Sequence, residues 1–311
     1  MPDFNLTRMV RLGSRGSRLA RAQTELVRAA LERQGIACET HFITTSGDRI
    51  QDRPLADIGG KGLFTRELDA ALLAGEIDLA VHSMKDVPAP VPAGTRIGAV
   101  LAREDARDAF VSSKAMSLDA LAEGARIGTS SVRRVAQIRR ARPNLEIVPL
   151  RGNVDTRLAK LDAGTFDAAI LAFAGLKRLG LEHRATSLMP IDDWLPALSQ
   201  GIIGMQIRDG DEHVSTAIAP LNDQATSIAI ACERGFQLAL DGTCRSPIAG
   251  HATYSDGRLA FRGEVIAPDG FDFVAMEFVC DLRGGDIAAA EAAGRNAGLE
   301  IKPRALGWLA L

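Results

Sequence analysis

The chain has 311 residues, more than one compact core usually holds, so two or three domains are expected. With 46% apolar and 24% charged residues it reads as a globular protein, and a net charge of −2 argues against bulk affinity for nucleic acid or an anionic membrane. No run of ~18 apolar residues is present, and residues 1–20 lack the apolar stretch of a secretory signal, so a cytoplasmic protein with no membrane span is expected.

The first two thirds alternate between strand-like and helix-like stretches. Residues 8–12 read as a strand. Residues 17–34 read as a helix, with Leu19, Ala22, Leu26, Ala30 and Leu31 near helical spacing and Gly35 as its stop. Residues 37–44 form a second strand, 65–74 a second helix and 79–82 a third strand. That βαβαβ order implies a mostly parallel sheet covered by helices. The pattern then repeats: strands at 109–112 and 126–128, a helix at 131–140 closed by Pro143, a strand at 146–150, a helix at 154–163 and a strand at 168–172. The two α/β domains join near 101–105 and again near 199–204.

The last third changes character. Residues 224–240 read as a helix, and 258–266 and 271–281 as strands around the turn signal Ala267-Pro268-Asp269-Gly270. An alanine-rich helix follows near 286–294, and the final residues carry no usable pattern. The expected organisation is α/β domain 1 at 1–102 with 199–220, α/β domain 2 at 103–198, and a small α+β domain 3 at 221–311.

Small, polar and basic residues gather where strands end. The clusters are Gly13-Ser14-Arg15-Gly16-Ser17, His82-Ser83-Met84-Lys85-Asp86-Val87-Pro88, Gly128-Thr129-Ser130-Ser131-Val132-Arg133-Arg134 and Leu150-Arg151-Gly152-Asn153-Val154-Asp155-Thr156-Arg157. Ligands of open α/β sheets bind beyond the carboxyl ends of the strands, where helix N-termini present free N–H groups. The chain has 31 Arg against 6 Lys. The excess as a whole fits codon bias, but Arg133, Arg134, Arg151 and Arg157 at two neighbouring junctions suggest a pocket for several carboxylates, since guanidinium forks grip carboxylates in pairs. Simple helix capping is the plainer reading of Thr129, Ser130 and Ser131. A surface ion pair is the plainer reading of Lys85 and Asp86, though in a cleft Asp86 could stabilise a cation and move protons.

Residues 46–60 read as a long polar loop, of the kind that often forms a lid, leading into Lys61-Gly62-Leu63-Phe64. It is not a phosphate-binding P-loop, because Leu55 stands at the first glycine position and Gly62 follows Lys61. The four cysteines, Cys38, Cys232, Cys244 and Cys280, show no CxxC spacing and are expected to be reduced; the five histidines form no HExxH pattern, so no metal is expected. Cys244, in a Gly/Pro-flanked loop after a helix, is more reachable than Cys280 in an apolar strand. By spacing alone an inert thiol remains the plainer reading.

These blocks, in this order, resemble the porphobilinogen deaminases over roughly residues 8–255. Most telling are residues 59–64, 80–88, 103–105, 108–112, 128–134, 150–154 and 171–180. The resemblance implies two α/β domains like type II periplasmic binding proteins plus the small C-terminal α+β domain. It implies a dipyrromethane cofactor held by a thioether to Cys244. It implies a transferase of porphyrin and haem biosynthesis that adds four porphobilinogens in turn, releases ammonia at each addition, and hydrolyses off hydroxymethylbilane. Asp86 then matches the catalytic carboxylate, which pairs with pyrrole N–H groups and stabilises the azafulvene cation left when ammonia departs. Arg15 and Ser17 match substrate and cofactor contacts, as do Ser83, Lys85, Thr129 and Ser131. Carboxylate binding gives a use to Arg133, Arg134, Arg151, Arg157 and Arg178, while Lys61 and Phe64 belong to the lid loop. A monomer is implied, with porphobilinogen as its small-molecule substrate and neither nucleic acid nor membrane as a partner.

The chain departs from the family in places. Thr243 precedes Cys244 where Gly is usual, Ser199 opens the segment that usually reads Gly-Gln-Gly, Gln206 stands where an acidic residue is common, and Asp155 where Gly is frequent. Three rival readings remain: a ligand-binding protein, a regulator's effector domain, and an inactive homologue. The missing export signal weighs against the first, the lack of a helix-turn-helix segment against the second, and the presence of Asp86 and Cys244 against the third.

Overall fold

The structure is a computed structural model that describes residues 9–49, 62–243 and 246–309. Lys61 and Cys244 lie outside the described residues. The rest falls into two compact units, the first within Met1–Ile50, Gly60–Arg103 and Ile202–Ser227, the second mainly within Glu104–Gly201 and Ile228–Leu311.

The first unit starts with β1 (Val10–Arg15), α1 (Arg18–Glu32), β2 (Cys38–Ile43), the short α2 (Ser46–Arg49), α3 (Arg66–Leu73), β3 (Leu79–Ser83) and β4 (Thr95–Val100). β1 pairs in parallel with both β2 and β3, as the βαβαβ order requires. Ser17 caps α1, its side chain accepting from the Ala20 N–H. The buried face of α1 differs from the predicted one. Gln23, Thr24, Val27 and Leu31 point inward, whereas Leu26 is 49% exposed. The apolar count missed this because two of the inward positions are polar. Ser46–Arg49, expected to be loop, forms a single helical turn.

In the second unit β5 (Asp108–Ser112), β6 (Arg126–Gly128), α4 (Val132–Ala141), β7 (Glu146–Val148), α5 (Val154–Asp162), β8 (Ala168–Ala172), α6 (Phe173–Arg178) and the short β9 (Ser187–Leu188) follow in order. The chain then returns to the first unit as β10 (Ile203–Arg208) and α7 (Glu212–Ile218). The two five-stranded sheets share one topology, β2-β1-β3-β10-β4 and β7-β6-β8-β5-β9. In each, three parallel strands stand in the order second, first, third, and an antiparallel strand follows: β10 beside β3, β5 beside β8. β4, β10, α6, α7 and β9 were not predicted. β10 (Ile-Gly-Met-Gln-Ile-Arg) is fully buried up to Arg208, so it lacks the period-two alternation of a half-exposed strand.

The last elements are α8 (Gln224–Ala239), β11 (Ile248–Ser255), β12 (Arg258–Ile266), β13 (Phe273–Asp281) and α9 (Ile287–Leu309). The three strands form an antiparallel meander in register. Phe236 of α8 meets Phe261 of β12 edge-on at 5.0 Å between centroids, and Phe278 lies tilted against Phe261 at 5.6 Å. α9 runs far past the predicted 286–294. Asp286 accepts from the Ala288 and Ala289 N–H groups at its start. Its buried stripe is Ala290, Gly294, Ala297, Gly298, Ile301 and Ala305, small residues whose weak hydrophobic signal hid the length of the helix. The architecture is therefore two sheet–helix α/β layers and a small domain built on an antiparallel sheet.

Candidate active site

In the first unit the C-terminal ends of β1 and β3 are neighbours, so Arg15 and Ser17 come beside Ser83 and the turn after it. The turn Met84–Asp86 is a 3₁₀ helix pinned from below. The Met84 N–H donates to Ile202 O at 3.0 Å, and the Val87 N–H to Met84 O at 3.1 Å. Met84 is buried against Gly204 of β10, where a Cβ would fall 2.1 Å from the Met84 sulfur. With Met84 and Val87 both inside, Asp86 between them is exposed and Lys85 half-buried. Asp86 takes no side-chain hydrogen bond or ion pair among the described residues, unlike the surface pair that Lys85–Asp86 suggested.

A depression of about 390 Å³, open to solvent, lies here, lined by Arg15, Ser17, Gln23, Phe64, His82, Ser83 and Asp86 among others. Gln23 was missed by the sequence reading. Its Nε2 donates to Ser83 Oγ at 2.9 Å, which ties α1 to the end of β3. Placing the inward face of α1 on positions 23, 27 and 31 would have exposed it as a polar residue aimed at the sheet end. His82 is buried, and burial pushes its imidazole down to about 4, against the pull of Gln206. Phe64, predicted as part of a lid, stacks on Arg15 with the guanidinium carbon 4.2 Å from the ring centre.

The remaining predicted residues lie in the second unit. Of Thr129, Ser130 and Ser131, read from the sequence as helix caps, only Ser131 caps α4, its Oγ accepting from the Arg134 N–H; Thr129 Oγ1 accepts from the Ser131 N–H at 3.2 Å just before the helix, and Ser130 Oγ from the Leu150 N–H at 3.0 Å after β7. Arg133 and Arg134 do not fit the expected open carboxylate pocket. They are 4% and 5% exposed, and both close on Asp108, itself fully buried. Arg134 uses its other nitrogen on Ile170 O at 2.9 Å, and Arg133 its Nη1 on Gln137 and Leu195 O. Trp194 Nε1 and Gln200 Nε2 also donate to Asp108, at 3.0 and 2.8 Å. Burial raises and the two arginines lower the Asp108 pKa, with a net fall well below the usual carboxylate range. These two forks therefore brace α4 against β5 and leave little for a ligand.

Arg151 and Arg157 stay half-buried at the N-terminus of α5, which Asn153 caps; Arg157 Nε donates to Gly152 O at 2.9 Å. Asp155, the departure from the usual Gly, sits in the first turn of that helix, where its charge suits the helix dipole. Arg178 donates to Gly201 O at 2.5 Å, and burial lowers its pKa to about 10. No group of His, Cys, Asp and Glu among the described residues could hold a metal, and no helix among them is long and apolar enough to cross a membrane.

Residues 10–216 match the family model described as porphobilinogen deaminase, dipyromethane cofactor binding domain, and residues 227–303 the model of the porphobilinogen deaminase C-terminal domain. The chain belongs to the porphobilinogen deaminase family. Relatives named porphobilinogen deaminase include those of Nitrobacter hamburgensis, 48% identical over 300 residues (94% of this chain, 93% of that one), and Syntrophobacter fumaroxidans, 47% identical over 296 residues (94% of each). That of Burkholderia thailandensis is 48% identical over 293 residues, covering 94% of this chain and 88% of its own. Among solved structures, a putative methionine-binding lipoprotein of Bacillus subtilis is similar at 13% identity and a TM-score of 0.44, covering 69% of this chain and 90% of that one. A periplasmic substrate-binding protein of Coxiella burnetii matches at 15% identity and the same score of 0.44, covering 70% of this chain and 94% of that one.

Proposed function

We propose that this porphobilinogen deaminase family member condenses four porphobilinogens head to tail, loses ammonia at each addition, and releases hydroxymethylbilane by hydrolysis. The observation that carries the reading is the convergence of Arg15, Ser17, Gln23, Ser83 and Asp86 on one open depression at the ends of β1 and β3. The donor set fits an acidic pyrrole. A guanidinium and hydroxyls suit its acetate and propionate, and Asp86, without an ion pair among the described residues, suits the ring N–H. The same fit extends to the dipyrromethane, which Cys244 would hold through a thioether. When bound, that group supplies the pyrrole carbon to which the first substrate is joined.

The chain's own residues then divide the work. Asp86 accepts the pyrrole N–H hydrogen bonds and stabilises the cation that forms on the substrate as ammonia leaves. Arg15, Ser17, Ser83 and Lys85 hold carboxylates and orient the rings. Arg151 and Arg157, with the N–H groups at the start of α5, take carboxylates of the lengthening product. Thr129 and Ser131 shape the start of α4 for the same purpose, and Arg178 holds the turn at Gly201. Phe64 supports the Arg15 guanidinium with its ring face. Covalent anchoring keeps the growing chain at the site between additions, so each new bond forms at high effective concentration. We further propose a cytoplasmic monomer, as the family resemblance implies.

Intact mass of the purified protein tests this. An adduct of two pyrrole units, lost in Cys244→Ser, together with consumption of porphobilinogen, is the expected result. An unmodified folded chain without turnover would leave a binding role instead.

A further inference from the structure

Arg15 is not a loose cation at the rim. Its side edge is held by Asp48, with Nε donating to Oδ2 at 3.2 Å and Nη2 to Oδ1 at 2.5 Å. Nη1 takes no partner among the described residues. Asp48 is itself fixed, accepting from the Thr45 N–H at 3.3 Å and from Thr45 Oγ1 at 2.7 Å, with Thr45 fully buried. The face of the guanidinium lies on Phe64, and Phe64 lies on Gly47, where a Cβ would fall 2.3 Å from the ring. Gly47 and Asp48 are consecutive in α2, so one helical turn sets both the plane and the edge of Arg15.

A guanidinium has two edges that can receive a carboxylate in bidentate fashion, Nε with Nη2 and Nη1 with Nη2. Asp48 takes the first. We infer that Asp48 is a positioning residue, which holds Arg15 so that the Nη1–Nη2 edge receives one carboxylate of the substrate in the depression that Arg15 lines. The inference rests on the porphobilinogen reading of that site. Asp48 touches neither substrate nor cofactor; it acts through Arg15. Both Asp48 and Arg15 are about three-quarters buried, so the pair is sheltered enough to keep its geometry while a second anion approaches. The positive charge of Arg15 is partly spent on Asp48, which makes the second edge selective for a well-placed carboxylate and weak toward simple anions.

The test is steady-state porphobilinogen turnover by the cofactor-loaded enzyme in four forms: unsubstituted, Asp48→Ala, Arg15→Ala and the double variant. Asp48→Ala should raise KM on the order of 10-fold with kcat changed less than about twofold, because a misplaced binding group costs affinity first. In the Arg15→Ala background the same change should leave KM where it was. Asp48→Asn, which keeps the acceptor oxygen, should fall between, and it serves where the alanine variant fails to fold. A KM that falls in Asp48→Ala would make Asp48 a competitor for the fork and overturn the inference. Equal increases in both backgrounds would reduce it to a fold contact and overturn it as well. Unsubstituted protein without turnover would instead remove the underlying functional reading, and Arg15→Ala with normal KM would remove Arg15 from the site.

Discussion

Arg134 clasps Asp108 with two parallel hydrogen bonds, Nε to Oδ2 at 3.1 Å and Nη2 to Oδ1 at 2.6 Å, where neither residue has meaningful access to water. Arg133 adds a third at 2.9 Å. Removing the carboxylate would leave two buried cations facing each other, and losing one partner of such a group typically costs ~3–5 kcal/mol. Asp108→Ala should therefore lower the melting temperature sharply and raise amide exchange along α4 and β5. Arg157→Ala, at the half-buried start of α5, should leave melting nearly unchanged and weaken binding of the substrate. Parallel loss of stability in both variants would show that the distinction drawn between the two arginine pairs is wrong.

Asp86 offers the reverse pattern. It is exposed and has no ion pair among the described residues, while its neighbours Met84 and Val87 anchor the turn. Asp86→Asn should move stability by no more than ~0.5 kcal/mol, as for most exposed positions. Turnover should fall by ~10²–10⁴, the usual contribution of a positioned carboxylate. Thermal melting and initial rates on the same preparation check both halves; a variant with full activity would take the catalytic role away from this residue.

The parallel sheets were legible because β1, β2 and β3 alternate with helices at short intervals, and the clusters at Arg15 and Asp86 fall where such sheets bind ligands. β10 was illegible for a physical reason: it joins the first sheet from across the chain, and burial on both faces removed its periodicity. Gln23 hid in a helix whose inward face is half polar. Arg133 and Arg134 misled because a sequence displays charges without showing which anion meets them, and Asp108 lies 25 residues before the nearer one. Asp48 was visible as part of a polar stretch, but its grip on Arg15 spans 33 positions and needs the fold.

His82 supplies a pH dependence. It stands on β3 opposite Gly204 of β10, and its Nε2 is buried without a hydrogen-bond partner. Burial lowers its pKa to about 4 from the ordinary 6.5, with Gln206 opposing the fall and Arg15 adding to it. Between those values the unfolded chain binds a proton that the native state does not, so stability is complete above about pH 6.5 and is lost as pH falls toward 4. A displacement of this size corresponds to about 3 kcal/mol. His82→Asn should melt with a shallower decline than the unsubstituted protein between pH 7 and pH 4.5. Identical slopes would mean that His82 is accessible to protons in the folded state.

Ser199 is the departure whose cost is easiest to read. Its φ is 62°, in the left-handed region that favours glycine. The fold holds it in place regardless: its N–H donates to Glu233 Oε2 at 2.5 Å, and the next residue, Gln200, donates to Asp108. Its Oγ is buried without a partner. A side chain in this conformation costs ~1–2 kcal/mol, and an unsatisfied buried hydroxyl adds ~1 kcal/mol or more. Glycine would remove both, while its greater freedom in the unfolded chain returns ~0.5–1 kcal/mol. Ser199→Gly should therefore stabilise the protein by ~1–2 kcal/mol, a rise of several degrees in melting temperature. Ser199→Ala, which loses the hydroxyl and keeps the backbone strain, should gain less. If the glycine variant melts lower than the unsubstituted protein, the side chain of Ser199 contributes packing that outweighs its strained backbone.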